Sequence, residues 1–442
     1  MQTDPKTLYA GYSRVVVTPP LGYDIPGNFT KRYADGVIDD LYLRCTALSL
    51  GDVTGLVYCC DALEMKQLYF DAVKVKIAER CNINPEYIYI TCTHSHTAFR
   101  MSTAITPDEL FNAHQQFMME KFCECGYAAI QDLKPCTMRT AAGEAKDVAY
   151  CRLYRMKDGN CKTNPPIGSP DIVAPIGEQD TSTQLIHFVR DDAKDIMLMC
   201  FGTHASSVGG TKFSPDWPGY MMQAVEDAFD NKVEAMILMG TQGDSNVRKV
   251  FMQKNVPFSV AKAKRIGYVL AGEFIRIAEY TKEVLVDKLV FAHKYVSIGL
   301  NECKPEEVPI AYKVREIYRE KGKEAEELKQ YDMSVPKALR IIRNQEDTEP
   351  FNLRVSGFRV GNVAAVGIPG EPFMSIGLDI KSRSCMDMTL VTASTNGHQG
   401  YFPDAISFKE KGYESDYSPF AHDCGQKLAD TAIDVINEMN KA

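Results

Sequence analysis

The sequence predicts an α/β fold: one large domain spanning residues 1–442, with mixed β-sheets flanked by helices and a polar site at strand ends. Three observations carry this. A short apolar run, Leu56–Cys60, is followed by helical periodicity over about Lys66–Cys81 and a second apolar run, Tyr87–Thr93. Strand, helix, strand at this spacing is a βαβ-like unit and favours a parallel pair. Ala235–Met239 repeats the buried-strand pattern further on. Finally, five apolar strands each end in a residue suited to metal or acid/base work: Asp61, His94 with His96, His204, Asp244 and Glu371.

Taken in order, Ser13–Thr18 and Leu41–Leu50 read as strands separated by Pro- and Gly-rich loops. Residues 107–133 are an amphipathic helix, and Arg139–Arg155 is strand-like, leading into a hairpin turn at Asp158-Gly159. Residues 160–180 read as loop. Gln184–Arg190 and Asp195–Phe201 are strands about Asp191-Asp192. Ser206–Pro218 reads as a loop carrying the single tryptophan, Trp217, ahead of a helix from about Gly219 to Asp230. Val260–Ala278 is helical and residues 284–300 are strand-like. Residues 303–345, the most charged stretch, have helical spacing and read as a solvated helical pair. Ser356–Val360 and Val363–Gly367 form a hairpin, Thr389–Ala393 is the last clear strand, and the loop Ser394–Tyr413 precedes a terminal helix over about Gln426–Met439.

Composition excludes several classes. An apolar content of 45% and a charged content of 24% are those of a globular protein, and a net charge of −8 without a basic cluster argues against nucleic acid. The start, Met1 to Lys6, lacks a leader's apolar run, and no stretch reaches transmembrane length, so the expected location is the cytoplasm. The 14 cysteines are scattered without a C-x-x-C pair and read as reduced core residues.

The chemistry collects at the strand ends. In Thr93-His94-Ser95-His96-Thr97, two of only eight histidines stand at i and i+2, on one side of the chain while it stays extended. A metal set of two imidazoles and a carboxylate is available from His94 or His96, His204 and Glu371, and such a set with an open position is a common catalytic zinc arrangement. Arg152 and Arg155 are candidates to clamp an oxyanion or carboxylate. Trp217 is a candidate for either a pocket wall or the core. His114, His187, His293 and His422 read as structural or exposed.

The ordered series Thr93-His94-Ser95-His96-Thr97-Ala98, Gly202-Thr203-His204, Gly243-Asp244-Ser245-Asn246, Pro369-Gly370-Glu371-Pro372 and Asn396-Gly397 through Tyr401 resembles the neutral/alkaline non-lysosomal ceramidase family, in particular short bacterial members with the catalytic domain alone. Asp216-Trp217-Pro218-Gly219-Tyr220 and Met156-Lys157-Asp158-Gly159 match as well. The resemblance implies a zinc-dependent amidase acting on an N-acyl bond through metal-activated water. It implies Zn²⁺ ligands at His94, His204, Glu371 and Tyr401, an acid/base role for His96, and carbonyl polarisation by Arg152 and Tyr413. Asp61 and Asp244 would orient the ligands from behind.

Two departures from the family bear on the expectation. Asn246 stands where the family has a serine, with Ser245 one residue early, so a serine nucleophile is not expected. Neither the family's carboxy-terminal immunoglobulin-like domain nor its export signal is expected here. Ceramide, another N-acyl compound, and a small soluble ester or amide all remain open as substrates, as does a ligand-binding homologue without catalysis.

Overall fold

The computed structural model describes residues 6–28, 30–104, 108–251, 257–322 and 325–442. The stretch read for a leader, apart from Lys6, lies outside the described residues. The strands that carry the architecture are β1 (Tyr9–Val16), β2 (Tyr42–Leu50), β3 (Val53–Cys60), β4 (Ile88–Cys92), β5 (Lys134–Glu144), β6 (Ser182–Arg190), β7 (Asp195–Phe201), β8 (Val233–Met239), β9 (Leu289–Ile298), β10 (Phe351–Val360), β11 (Val363–Gly367) and β12 (Met388–Thr392). The principal helices are α1 (Gln67–Cys81), α2 (Glu109–Gln131), α3 (Asp216–Ala228), α4 (Val260–Ala278), α5 (Glu307–Lys321), α6 (Val335–Glu346), α7 (Met374–Arg383) and α8 (Cys424–Lys441).

Among the described residues, nine strands form a mixed sheet in the order β8-β7-β6-β5-β1-β2-β3-β4, with Lys282–Val284 added beside β5. The β3–α1–β4 unit is parallel, in register from Leu56 opposite Ile88 to Cys60 opposite Cys92, as its spacing predicts. A four-stranded sheet, β9-β10-β11-β12, stacks on the larger one, with β11 and β12 parallel.

Side-chain alternation explains the layering. Along β3, Leu56, Tyr58 and Cys60 pack with Phe70, Val73 and Phe122 of α1 and α2, while Val57 and Cys59 join Phe358 and Val360 of β10. On the far side of the second sheet, Leu353, Val355 and Val366 meet Leu428, Val435 and Ile436 of α8. The order is therefore helix, sheet, sheet, helix, and each large apolar side chain buried between layers contributes about 1.5–3 kcal/mol. α3 and α4 pack on each other and on β5, β6 and β8.

The larger sheet curls until its two ends meet. Residues 392–396 join them: Ala393 N donates to Met239 O after β8 and Asn396 N to Ile90 O on β4, both at 2.8 Å. This closure places strand ends far apart in the sheet order around one cleft.

Several expected boundaries change because pairing partners come from distant chain. The run Arg139–Arg155 breaks into β5, Tyr150–Cys151 paired with Ser245–Asn246, and Leu153–Met156 paired with both Cys161–Thr163 and Ile172–Ile176. The last two of these segments, Cys161–Thr163 and Ile172–Ile176, lie inside the expected loop 160–180. Trp217 opens α3 instead of preceding it. The loop 394–413 contains Tyr401–Phe402, paired with Glu371–Pro372, and a short helix, Ala405–Glu410. The charged stretch is the α5–α6 pair, closed by Ala311, Val314, Ala338 and Ile341.

Candidate metal centre

The strand-end loops converge as the closed sheet requires. Thr93 N donates to Cys60 O, and the backbone then turns left-handed at His94 (φ 57°). His96 N donates to Ala205 O at 3.0 Å, and Ser95 Oγ and Thr97 Oγ1 both donate to Ser214 O. The expected shared facing of His94 and His96 along an extended chain therefore fails, since extension ends at His94. The two rings nevertheless meet at 5.1 Å between centroids, and one ring nitrogen from each of His94, His96 and His204 lies within 4.8 Å of the others. His204 reaches the cleft because Gly202 lets the β7 and β8 ends touch: a Cβ there would stand 2.1 Å from Thr241 O.

The histidines are aimed by backbone carbonyls. His94 Nδ1 lies 2.9 Å from Leu63 O, and His204 Nδ1 lies 2.9 Å from Gln242 O. A carbonyl only accepts, so each Nδ1 carries the proton and each Nε2 presents a lone pair. Both lone pairs face the same atom, Glu371 Oε2, at 3.3 Å from His94 and 3.1 Å from His204. Burial and Arg152 push His204 down to about 4, so it is a neutral imidazole. His94 Nε2, His96 Nε2 and Glu371 Oε2 are all buried without a hydrogen-bond partner. Lone pairs held this close to a carboxylate oxygen repel unless a cation lies between them, and nitrogen and oxygen donors suit zinc. The residues fit a metal.

The supporting groups follow. The other Glu371 oxygen, Oε1, is 3.2 Å from His398 Nε2, and His398 Nδ1 is 2.9 Å from Glu64 Oε2. Burial lowers His398, but the two carboxylates outweigh it and push it up to about 9, leaving an imidazolium clamped between them. Arg152 Nε faces Glu414 Oε1 at 3.2 Å, and its Nη1 lies 3.3 Å from His204 Nε2 and 3.5 Å from Tyr401 Oη. Burial, then Glu371, raises Tyr401 well above the ordinary phenol value, so it keeps its proton in this arrangement. Tyr413 stands 6.1 Å from Tyr401, ring to ring. His94, His96, Arg152, Glu371, Tyr401 and Tyr413 all line a cleft of about 920 Å³.

Two expected supports lie elsewhere. Asp61 accepts from Arg44 Nη1 at 2.8 Å and from Tyr42 N at 2.9 Å. Asp244 accepts from Met374 N at 2.8 Å, capping α7. Neither bonds a site histidine, because backbone carbonyls occupy the Nδ1 positions. Ser245 Oγ donates to Thr203 Oγ1, and Asn246 Nδ2 to Asn164 Oδ1. Arg155 pairs with Glu410 at the surface. Trp217 is a core residue whose Nε1 donates to His204 O. His114 is buried on α2, while His187 and His293 pair with Asp195 and Glu86. Sequence reasoning missed Glu64, Glu414 and His398 as site members. Only His398, just after Asn396-Gly397, carried a signal, as one of few histidines in a loop following a strand.

Fold and site together define an α/β protein with a buried His/Glu group able to hold a metal ion. The chain matches the crystal structure of neutral ceramidase from Pseudomonas aeruginosa with a TM-score of 0.73 at 15% identity, over 98% of this chain and 75% of that one. It matches a second structure, described as ceramidase complexed with C2, with a TM-score of 0.72 at 14% identity and the same coverage. At these identities the likeness is one of fold. No protein-family model matches the sequence, and no curated protein matches it.

Proposed function

We propose that this chain is a zinc-dependent hydrolase of the neutral ceramidase family that cleaves an N-acyl amide bond, with residues 1–442 acting as one catalytic unit in the cytoplasm. The observation that carries the reading is the convergence of His94 Nε2, His204 Nε2 and Glu371 Oε2, two of them buried without hydrogen-bond partners. The fold likeness to ceramidase structures supports the amide chemistry.

His94, His204 and Glu371 would hold the ion, with Tyr401 as a fourth candidate ligand. Bound zinc would polarise a carbonyl oxygen and lower the pKa of water. His96 directs an unpartnered Nε2 into the same space while its Nδ1 is spent on Gly27 O at 3.1 Å. That leaves one nitrogen to take a proton from the attacking water and return it to the departing amine. Arg152, held by Glu414, and the Tyr413 hydroxyl would stabilise charge on the carbonyl oxygen. His398 fixes the Glu371 oxygen turned away from the histidines.

The test is metal analysis of protein purified without added zinc, followed by N-acyl amide and ester hydrolysis with and without chelator. Stoichiometric zinc and chelator-sensitive amide cleavage are expected. Turnover indifferent to chelation, or none with zinc bound, overturns the reading.

A further inference from the structure

The charged helical pair supplies a wall of the cleft. α6 is fastened to the segment bearing Tyr413 and Tyr417: Ser334 Oγ donates to Asp416 Oδ2 at 2.6 Å, and Asn344 Nδ2 to Pro419 O at 3.1 Å. From the last turn of α6, Arg343 lines the same cleft as His94, Glu371 and Tyr401. Its guanidinium lies 5.4 Å from the Phe351 ring, a contact that uses the face of the group and not its N–H donors.

The charges of the cleft are paired except at this point. Glu64 is shared by His398 and Lys66, Arg152 is met by Glu414, and Arg100 lies 3.4 Å from Asp24. Among the described residues, no carboxylate forms an ion pair with Arg343. The rest of the lining is rich in hydrogen-bonding groups, with Asn28, Thr163, Asn164, Gln399 and Tyr417, and its aliphatic side chains are Pro26 and Leu63. An alkyl chain laid here would cover polar and apolar surface in nearly equal parts and would strip water from the polar groups without replacing their hydrogen bonds. A carboxylate would find a planar fork matched to its two oxygens.

We infer that the substrate is a short, polar N-acyl compound bearing a carboxylate, which Arg343 on α6 binds as a specificity-determining residue. This rests on the hydrolase reading above and gives that site its substrate class. The carboxylate sits on either half of the amide, the amine or the acyl side.

The experiment uses the zinc-loaded protein with N-butanoylglycine, an N-succinyl alkylamine, the neutral N-butanoylglycinamide and a short-chain ceramide. Both kcat/KM and calorimetric Kd are measured for wild type, Arg343→Gln and Arg343→Lys. One of the two acids is expected to show a kcat/KM about tenfold or more above, and a Kd about tenfold or more below, those of the neutral amide, and which acid does so tells where the charge sits. Arg343→Gln is expected to collapse that acid-to-amide ratio towards one, chiefly through KM, with Arg343→Lys restoring part of it. A structural role would lower all substrates together and leave the ratio standing, which overturns the inference, as does preference for the neutral amide or the ceramide. Arg343-dependent binding of an acid without any turnover supports the inference and overturns only the hydrolase reading.

Discussion

Glu371 and Tyr401 are register partners in a two-residue parallel ladder, with Glu371 N donating to Gly400 O at 2.9 Å. The pairing carries a carboxylate and a phenol from separate loops into one cleft. If Tyr401 is a ligand, Tyr401→Phe weakens zinc binding by about tenfold or more, read by competition with a chromogenic chelator. Unchanged affinity would remove Tyr401 from the ligand set and leave it as a partner of Arg152.

His398 acts through Glu371. His398→Ala should weaken zinc about 10- to 100-fold, because Glu371 loses the imidazolium that holds its second oxygen. The same competition assay applies, and wild-type affinity would show that Glu64 and His398 are only a structural ion pair.

His96→Ala should retain zinc and lose about 100- to 10,000-fold in kcat, the range expected for removing a general acid/base. Zinc content and turnover are measured on one preparation. A variant with full zinc and full activity sinks the assignment.

The Arg152–Glu414 pair is nearly buried, at 11% and 3% side-chain exposure. Arg152→Met leaves Glu414 uncompensated and should cost about 3–5 kcal/mol in denaturant unfolding, while Arg152→Met with Glu414→Gln should recover part of that stability. Activity should stay low in both variants, which separates the structural part of Arg152 from the catalytic one.

His114 offers a pH test away from the metal. Burial pushes its imidazole down to about 4 from the ordinary 6.5, against a hydrogen bond to Val17 O. The unfolded chain therefore binds the proton first as pH falls, and the stability that His114 contributes is present above about 6.5 and lost on the way down to about 4. The full loss is about 3 kcal/mol, because each tenfold difference in proton affinity between the folded and unfolded chain is worth roughly 1.4 kcal/mol. His114→Gln should flatten the unfolding free energy across that window. An unchanged slope would assign the acid sensitivity to other groups.

Much of this protein is legible locally. The β3–α1–β4 unit, the α4 helix, the hairpins at Asp158-Gly159 and Gly361-Asn362 and the terminal helix follow from periodicity and turn chemistry, which act over a few residues. His94, His204 and Glu371 were visible as polar endings of apolar strands. Only the tertiary structure decided that these endings meet, because the sheet closure through residues 392–396 depends on contacts hundreds of residues apart. It also decided what holds them. Backbone carbonyls of Leu63 and Gln242 aim the histidines where Asp61 and Asp244 were expected, and a carbonyl leaves no trace in residue identity. His398, Glu64 and Glu414 came into view the same way, since a buried charge is defined by its partner across the cleft, and pairing across space has no period in the chain.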